Sequence, residues 1–200
     1  MALTPREFYA HALAAADEEG RLPLARMTEW DISPFQQDGL QVTPLREPAP
    51  ERPRYGEGGV DCGTCAKRDA GIWFTDSWRL ARIGDVGSPL VLMLYPRDHY
   101  DFADLSDELA AEAGVLSVQI ARHVEAVANI ARCHVYRIGD GGAHLHLWFF
   151  GRPAGQVQFF GSWLPVWDDL LPTYPEDVAE ADAQLVVNAL LESYGGRRTP

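Results

Sequence analysis

Apolar residues recur along this chain with two different spacings. From Ser106 onward, Leu109, Ala113, Leu116, Ile120, Val124 and Val127 follow one another in steps of four and three, the period of one face of a helix. Ser106 supplies the N-cap side chain. Elsewhere the apolar runs are short and bounded by turn residues, as strands are. Ile72–Phe74 and Trp78–Ile83 flank the turn Asp76-Ser77, and Pro89–Tyr95 is apolar enough for the middle of a sheet. Cys133–Ile138 and Ala143–Phe150 predict two more strands, with Gly139-Asp140-Gly141-Gly142 as a tight hairpin between them. Pro175 opens a last helix running to about Tyr194, where Gly195-Gly196 stops it. At the other end, Thr4 as N-cap, Pro5 at the first helical position and Glu7 closing a capping box predict a helix that ends at Gly20. Strands, one long helix, then strands again predict an α+β domain: an antiparallel sheet with the long helix packed on it.

A chain of 200 residues with 46% apolar and 23% charged positions is of single-domain size, and such a chain buries roughly 70% of its unfolded surface. Residues 1–45 read as an N-terminal extension and 154–200 as a C-terminal one. The stretch 46–61, rich in Pro and Gly, reads as an irregular connection. The longest apolar run, Leu90–Tyr95, is too short to span a bilayer. The first residues lack the basic and apolar regions of a secretory signal, so the expected location is cytoplasmic. The formal charge is −12, which argues against sequence-independent binding to nucleic acid. Residues 153–196 contain seven acids and no Lys or Arg, read as a solvated acidic surface.

Chemistry concentrates in a few positions. Cys62-Gly63-Thr64-Cys65 can grip one tetrahedral cation from a single loop. A redox pair would be expected to follow a strand and open a helix, whereas this pair follows a Gly-rich loop and precedes strands. His144 and His146 alternate with Leu145 and Leu147, so in an extended chain both imidazoles leave one face and both leucines the other. His99, just past the apolar strand, lies at a loop position where ligands are commonly placed. Two metal arrangements are open on spacing alone. One is a closed site; the other has His144 and His146 both bound to the ion, with a catalytic water. His11, His123 and His134 read as structural, and Cys133 as a small buried hydrophobe. The late aromatics, Trp148 to Trp167, read mainly as core and interface packing.

Taken together these residues resemble the histidine-triad superfamily of nucleotide hydrolases and transferases over about residues 60–153. The likeness rests on the Cys pair, on Pro96-Arg97-Asp98-His99 after its strand, on the long helix, and on His144-Leu145-His146-Leu147-Trp148-Phe149-Phe150 followed by Gly151-Arg152. Members carry three alternating histidines there, and Trp148 stands in place of the third. The resemblance implies a structural Zn²⁺ held by Cys62, Cys65, His99 and His144. It implies His146 as the nucleophile that attacks a nucleotide α-phosphorus and becomes nucleotidylated, with a backbone carbonyl fixing its tautomer. Trp148, Arg152 and the backbone N–H groups of Gly141 and Gly142 are then the candidates to contact substrate. The implied assembly is a homodimer acting on a small molecule. A second reading follows from Trp148, which cannot transfer a proton, and from the short Gly139–Gly142 turn: a zinc-clipped binding module that has lost nucleotidyl transfer.

Overall fold

In a computed structural model, residues 10, 13–14, 16–21, 44, 47–48, 50–157 and 159–198 are described. The chain divides into two compact units, Met1–Arg52 and Pro53–Pro200. The border lies inside the Pro- and Gly-rich connection. The expected start of the N-terminal helix, Thr4 to Glu7, lies outside the described residues, as does His11; Gly20, expected to end that helix, has φ 77°.

The second unit carries five strands: β1 (Trp73–Phe74), β2 (Trp78–Arg82), β3 (Leu90–Pro96), β4 (Ile130–Tyr136) and β5 (Leu147–Pro153). They form one sheet in the order β1-β2-β3-β5-β4, every neighbouring pair antiparallel. The helices are α1 (Gly63–Ala66), α2 (Asp107–Glu125), α3 (Leu164–Leu170) and α4 (Glu176–Ser193). Ser106 caps α2 by accepting a hydrogen bond from the Leu109 N–H at 3.3 Å. The predicted stripe holds, since Ala113, Leu116, Ile120 and Val124 are the buried residues of α2. Val127, the last residue of that stripe, is buried beyond the helix end. Tyr194 caps the end of α4, and Gly195 and Gly196 follow at φ 90° and 89°.

Alternation along the strands separates two sheet faces. Trp78, Leu80, Leu92, Leu94, Leu147 and Phe149 face α2 and α4, where they meet Leu116, Ile120, Val186 and Leu190 in the main core. Because α4 contributes to this core, the packed unit extends past the 60–153 stretch. Met93, Tyr95 and Trp148 occupy the opposite face. On that face Val91 and Phe150 pack with Phe159 and Leu164 in a second, smaller cluster. Among the acidic residues of the C-terminal stretch, three are not simply solvated. Asp168 is buried and accepts the Ser88 N–H, while Glu176 and Glu180 pair with Arg82 of β2, tying α4 to the sheet.

The expected tight hairpin at Gly139–Gly142 is not formed. The last register pair between β4 and β5 is Tyr136 with Trp148, so the connection runs from Arg137 to His146. Both strands are displaced from the spans expected. β4 begins at Ile130, directly after Asn129 turns the chain at φ 66°, and β5 begins at Leu147. The physical reason is that the backbone of 141–145 bonds elsewhere. The Tyr55 N–H donates to the Gly141 carbonyl at 2.9 Å, the Ala143 N–H to the Tyr55 carbonyl at 3.0 Å, and the Leu145 N–H to the Tyr100 carbonyl at 2.7 Å. A glycine-rich segment whose backbone is satisfied by Tyr55 and Tyr100 has no need of a hairpin partner.

Trp78 joins sheet and helix in one side chain: it is fully buried, and its indole N–H donates to Glu112 of α2 at 2.8 Å. Trp78→Ala is expected to cost about 3–5 kcal/mol, as other large-to-small core changes do. Urea unfolding of the variant beside the parent protein measures this.

Candidate functional site

Two loops and one strand lead converge on the upper end of β3. The Cys pair is held in the short helix α1, where Cys62 is the N-cap and its Sγ accepts the Cys65 N–H at 3.5 Å. Gly56 makes this possible. It has φ 73°, and a Cβ placed on it would lie 3.1 Å from the Cys62 sulfur. His99 follows the end of β3 at Pro96. His144 lies three residues before β5, buried, and its Nε2–H donates to the Pro96 carbonyl at 2.9 Å. That bond leaves Nδ1 as the acceptor nitrogen.

Nδ1 of His144 lies 3.6 Å from the Cys62 sulfur and 3.4 Å from the Cys65 sulfur, and Nδ1 of His99 lies 3.4 Å from the Cys65 sulfur. All four ligand atoms of Cys62, Cys65, His99 and His144 lie within 4.8 Å of one another. Two sulfurs and two imidazole nitrogens at these separations are a tetrahedral donor set with the ligands a zinc ion takes. The carbonyl behind His144 is the kind of outer partner that orients a ligating ring. Burial pushes the Cys65 thiol up to about 11 and holds the His144 imidazole below its ordinary value. The imidazole is therefore neutral, and a cation that binds here displaces a thiol proton.

His146 is not in the cluster. Its Nδ1–H donates to the His144 carbonyl at 2.9 Å, so the arrangement with His144 and His146 on one ion is not formed. The bond leaves Nε2 with its lone pair. The ring is half-buried and lines a cavity of about 200 Å³ together with Tyr55, Tyr95, Met93, Gly142 and Trp148. Trp148 meets the imidazole edge to face, with ring centroids 6.2 Å apart, and stacks on Phe150.

The remaining expected site residues divide. Trp148 and Gly142 line the cavity, and a Cβ on Gly142 would lie 3.8 Å from the His146 ring. Gly141 spends its carbonyl on the Tyr55 N–H. Arg152 is six positions along the chain from His146, about 20 Å in an extended strand. It is buried, with its guanidinium donating to the Pro153 and Gln156 carbonyls. It therefore stands apart from the cavity, because the strand carries it to the far edge. His123 bonds Ser193 and His134 bonds Tyr136, both away from the cluster. Burial raises the Cys133 thiol to about 12.

Sequence reasoning missed the strap. Residues 53–57 bring Tyr55 to the cavity and are anchored where Arg54, itself paired with Glu57 at 3.0 Å, pairs with Asp101 at 2.5 Å. Arg137 binds the other Asp101 oxygen at 2.6 Å. Burial alone would raise the Asp101 carboxyl, but bonds from Arg54, the Phe102 N–H and Arg137 outweigh it and lower it to about 2. Tyr55 and Gly63 fit each other, since a Cβ on Gly63 would lie 2.9 Å from the Tyr55 hydroxyl. The only signal in the sequence was a lone Arg-Tyr inside a Pro- and Gly-rich tract, which spacing cannot interpret.

The sequence matches no family model, and no curated protein matches it. Solved structures do match. A Zn-bound histidine triad family protein from Mycobacterium smegmatis superposes with a TM-score of 0.50 at 18% identity, covering 66% of this chain and 95% of that one. A hypothetical histidine triad nucleotide-binding protein from Sulfolobus tokodaii does so with a TM-score of 0.50 at 14% identity, covering 68% of this chain and 99% of that one.

Metal analysis of the purified protein is expected to find about one equivalent of zinc per chain. Cys62→Ser lowers both metal content and melting temperature, by roughly 2–4 °C for each kcal/mol lost. The variant stays folded at 25 °C, because the sheet and its helices have a core of their own. Circular dichroism with and without chelator measures both effects.

Proposed function

For a chain with the histidine-triad fold, we propose nucleotidyl hydrolysis or transfer through His146, with a structural zinc ion at Cys62, Cys65, His99 and His144. The observation that carries this reading is the orientation of His146. Its Nδ1–H is committed to a carbonyl, and its Nε2 is left for an electrophile in a cavity beside the metal cluster. The metal, when bound, supplies no reaction step; it clamps the α1 loop and the lead into β5, and so fixes the carbonyl that orients His146.

The chemistry then follows in two displacements. The Nε2 lone pair forms a bond to the α-phosphorus while the bond from phosphorus to the leaving oxygen or nitrogen breaks, and the leaving group departs with the electron pair. The growing positive charge on the ring is spread onto the Nδ1–H and its carbonyl partner. A water molecule or an acceptor hydroxyl next attacks the phosphorus. The P–N bond breaks, its electrons return to Nε2, and the acceptor's proton passes to solvent water. Trp148 has only an indole N–H and donates no proton to the leaving group. The substrates served best are those whose leaving groups depart as stable anions, phosphoanhydrides before esters and phosphoramidates.

The homodimer belongs to this reading, and Val115 and Val118 of α2 and Val135 of the edge strand β4 are exposed apolar side chains it could cover. Among the described residues no helix is long and apolar enough to cross a membrane, and we place the protein in the cytoplasm. A second reading, the zinc-clipped binding module, is favoured by Trp148 alone. It predicts that nucleotides raise the melting temperature by mass action and are recovered unchanged.

His146→Ala is expected to reduce turnover of adenylated anhydrides at least about a thousand-fold, as loss of a nucleophile does. Turnover by the parent protein falls steeply as the leaving group becomes more basic. Equal, background rates for parent and variant across these substrates would remove the enzymatic reading and leave the binding module.

A further inference from the structure

A second, larger cavity opens next to the one at His146. It encloses about 630 Å³ between α1, the turn that follows it, and β2. Tyr55, Thr64 and Tyr95 line both spaces, so the two adjoin.

The charges around the larger space are unusual for a chain of net charge −12. Its lining includes Lys67, Arg79 and Arg82 and, among the described residues, no carboxylate. Arg82 is already satisfied by Glu176 and Glu180. Arg79 is not. Its side chain rises from the second residue of β2 and is 4% exposed. Its Nη1 donates to the Ala70 carbonyl at 2.9 Å, its guanidinium lies 3.9 Å over the Tyr95 ring, and its Nε–H has no acceptor. A carbonyl and a ring face orient a guanidinium without neutralising it. Arg79 joins no ion pair among the described residues, and neither does Lys67, the only lysine of the chain, exposed at the rim. A buried, unpaired cation is costly unless something anionic completes it. Among the described residues no carboxylate lines this cavity.

We propose that Arg79 anchors a second anionic group of the substrate, an oxyanion that is not the one reacting at His146. The inference rests on the reading of His146 as nucleophile for what happens at the reacting phosphorus, but not for the anion site itself. Guanidinium presents a planar fork of donors that matches a phosphate or a carboxylate in two-point contact. Lys67 adds a mobile charge at the entrance. Arg79 and His146 both pack around Tyr95, whose ring centroid lies 6.5 Å from that of His146. The second anion therefore sits several bonds from the reacting phosphorus. The substrate class is a nucleotidyl conjugate whose far end bears a phosphate or a carboxylate. Conjugates ending in an uncharged or cationic group leave Arg79 unpaired and are served less well.

The test is a titration of the full chain, loaded with zinc, with inorganic phosphate and separately with acetate at low ionic strength, followed by ¹⁵N NMR of the arginine Nε–H groups. One resonance, absent from the spectrum of Arg79→Lys, moves saturably on addition of the preferred anion; the phosphate and acetate arms tell which oxyanion the site takes. In His146→Ala the same shift persists, which separates this proposal from the nucleophile assignment. Lys67→Met, at an exposed position that folds normally, weakens phosphate binding a few-fold. Arg79→Met weakens it about ten-fold or more. With paired adenylated substrates, one ending in a carboxylate or phosphate and one uncharged, Arg79→Met raises KM for the anionic member only. An Arg79 resonance unmoved by either anion in the parent protein overturns the proposal, and so does an equal change in KM for both substrates.

Discussion

Burial of Leu145, Leu147 and Phe149 against α2 and α4 is the constraint on which the site depends. In an extended chain, what enters the core on one side dictates what leaves on the other. With three apolar side chains committed inward, His144, His146 and Trp148 are turned to the opposite face. A one-residue slip of register would put imidazoles in the core and leucines in the cavity. The hydrophobic effect therefore aims the polar chemistry here, and the hydrogen bonds only refine it.

The two histidines share a backbone but have different tasks, and one carbonyl each decides which. His144 spends Nε2 on the Pro96 carbonyl and offers Nδ1 to the sulfurs. His146 spends Nδ1 on the His144 carbonyl and offers Nε2 to the cavity. The choice of tautomer is opposite in the two rings: the nitrogen left free is Nδ1 in His144, beside the sulfurs, and Nε2 in His146. Coupling follows from the shared peptide: what holds His144 in place also holds the carbonyl that orients His146.

Around this pair, the strap 53–57 and the Arg79 cavity divide the remaining work. The strap closes one wall through Tyr55 and is fastened by charges at Asp101. The cavity beneath it gathers positive charge in a protein that is otherwise strongly acidic, so the local field at the site opposes that of the whole molecule.

Element types and the inward-facing residues of the long helix were legible from period alone, because burial of an apolar stripe is a local pattern with a global cause. The Cys pair, His99 and His144 were legible as candidate ligands because few other residue types bind a cation, and their assembly into one cluster, without His146, agrees with the resemblance that suggested it. The Gly139–Gly142 segment shows where local reading stops. Its glycines permit a tight hairpin, yet Tyr55 and Tyr100, distant in the chain, take its hydrogen bonds and hold it open. Arg152 was expected to contact substrate, but the length of β5 carries it away from the cavity. Arg79 carried no signal at all, since one arginine in an alternating strand reads the same whether it meets a glutamate or an empty space. The sequence by itself determined which residues are buried and which can coordinate, properties of single side chains and their spacing. Only the tertiary structure decided which lone pairs remain free and which charges remain unpaired, because those depend on partners that the chain supplies from far away.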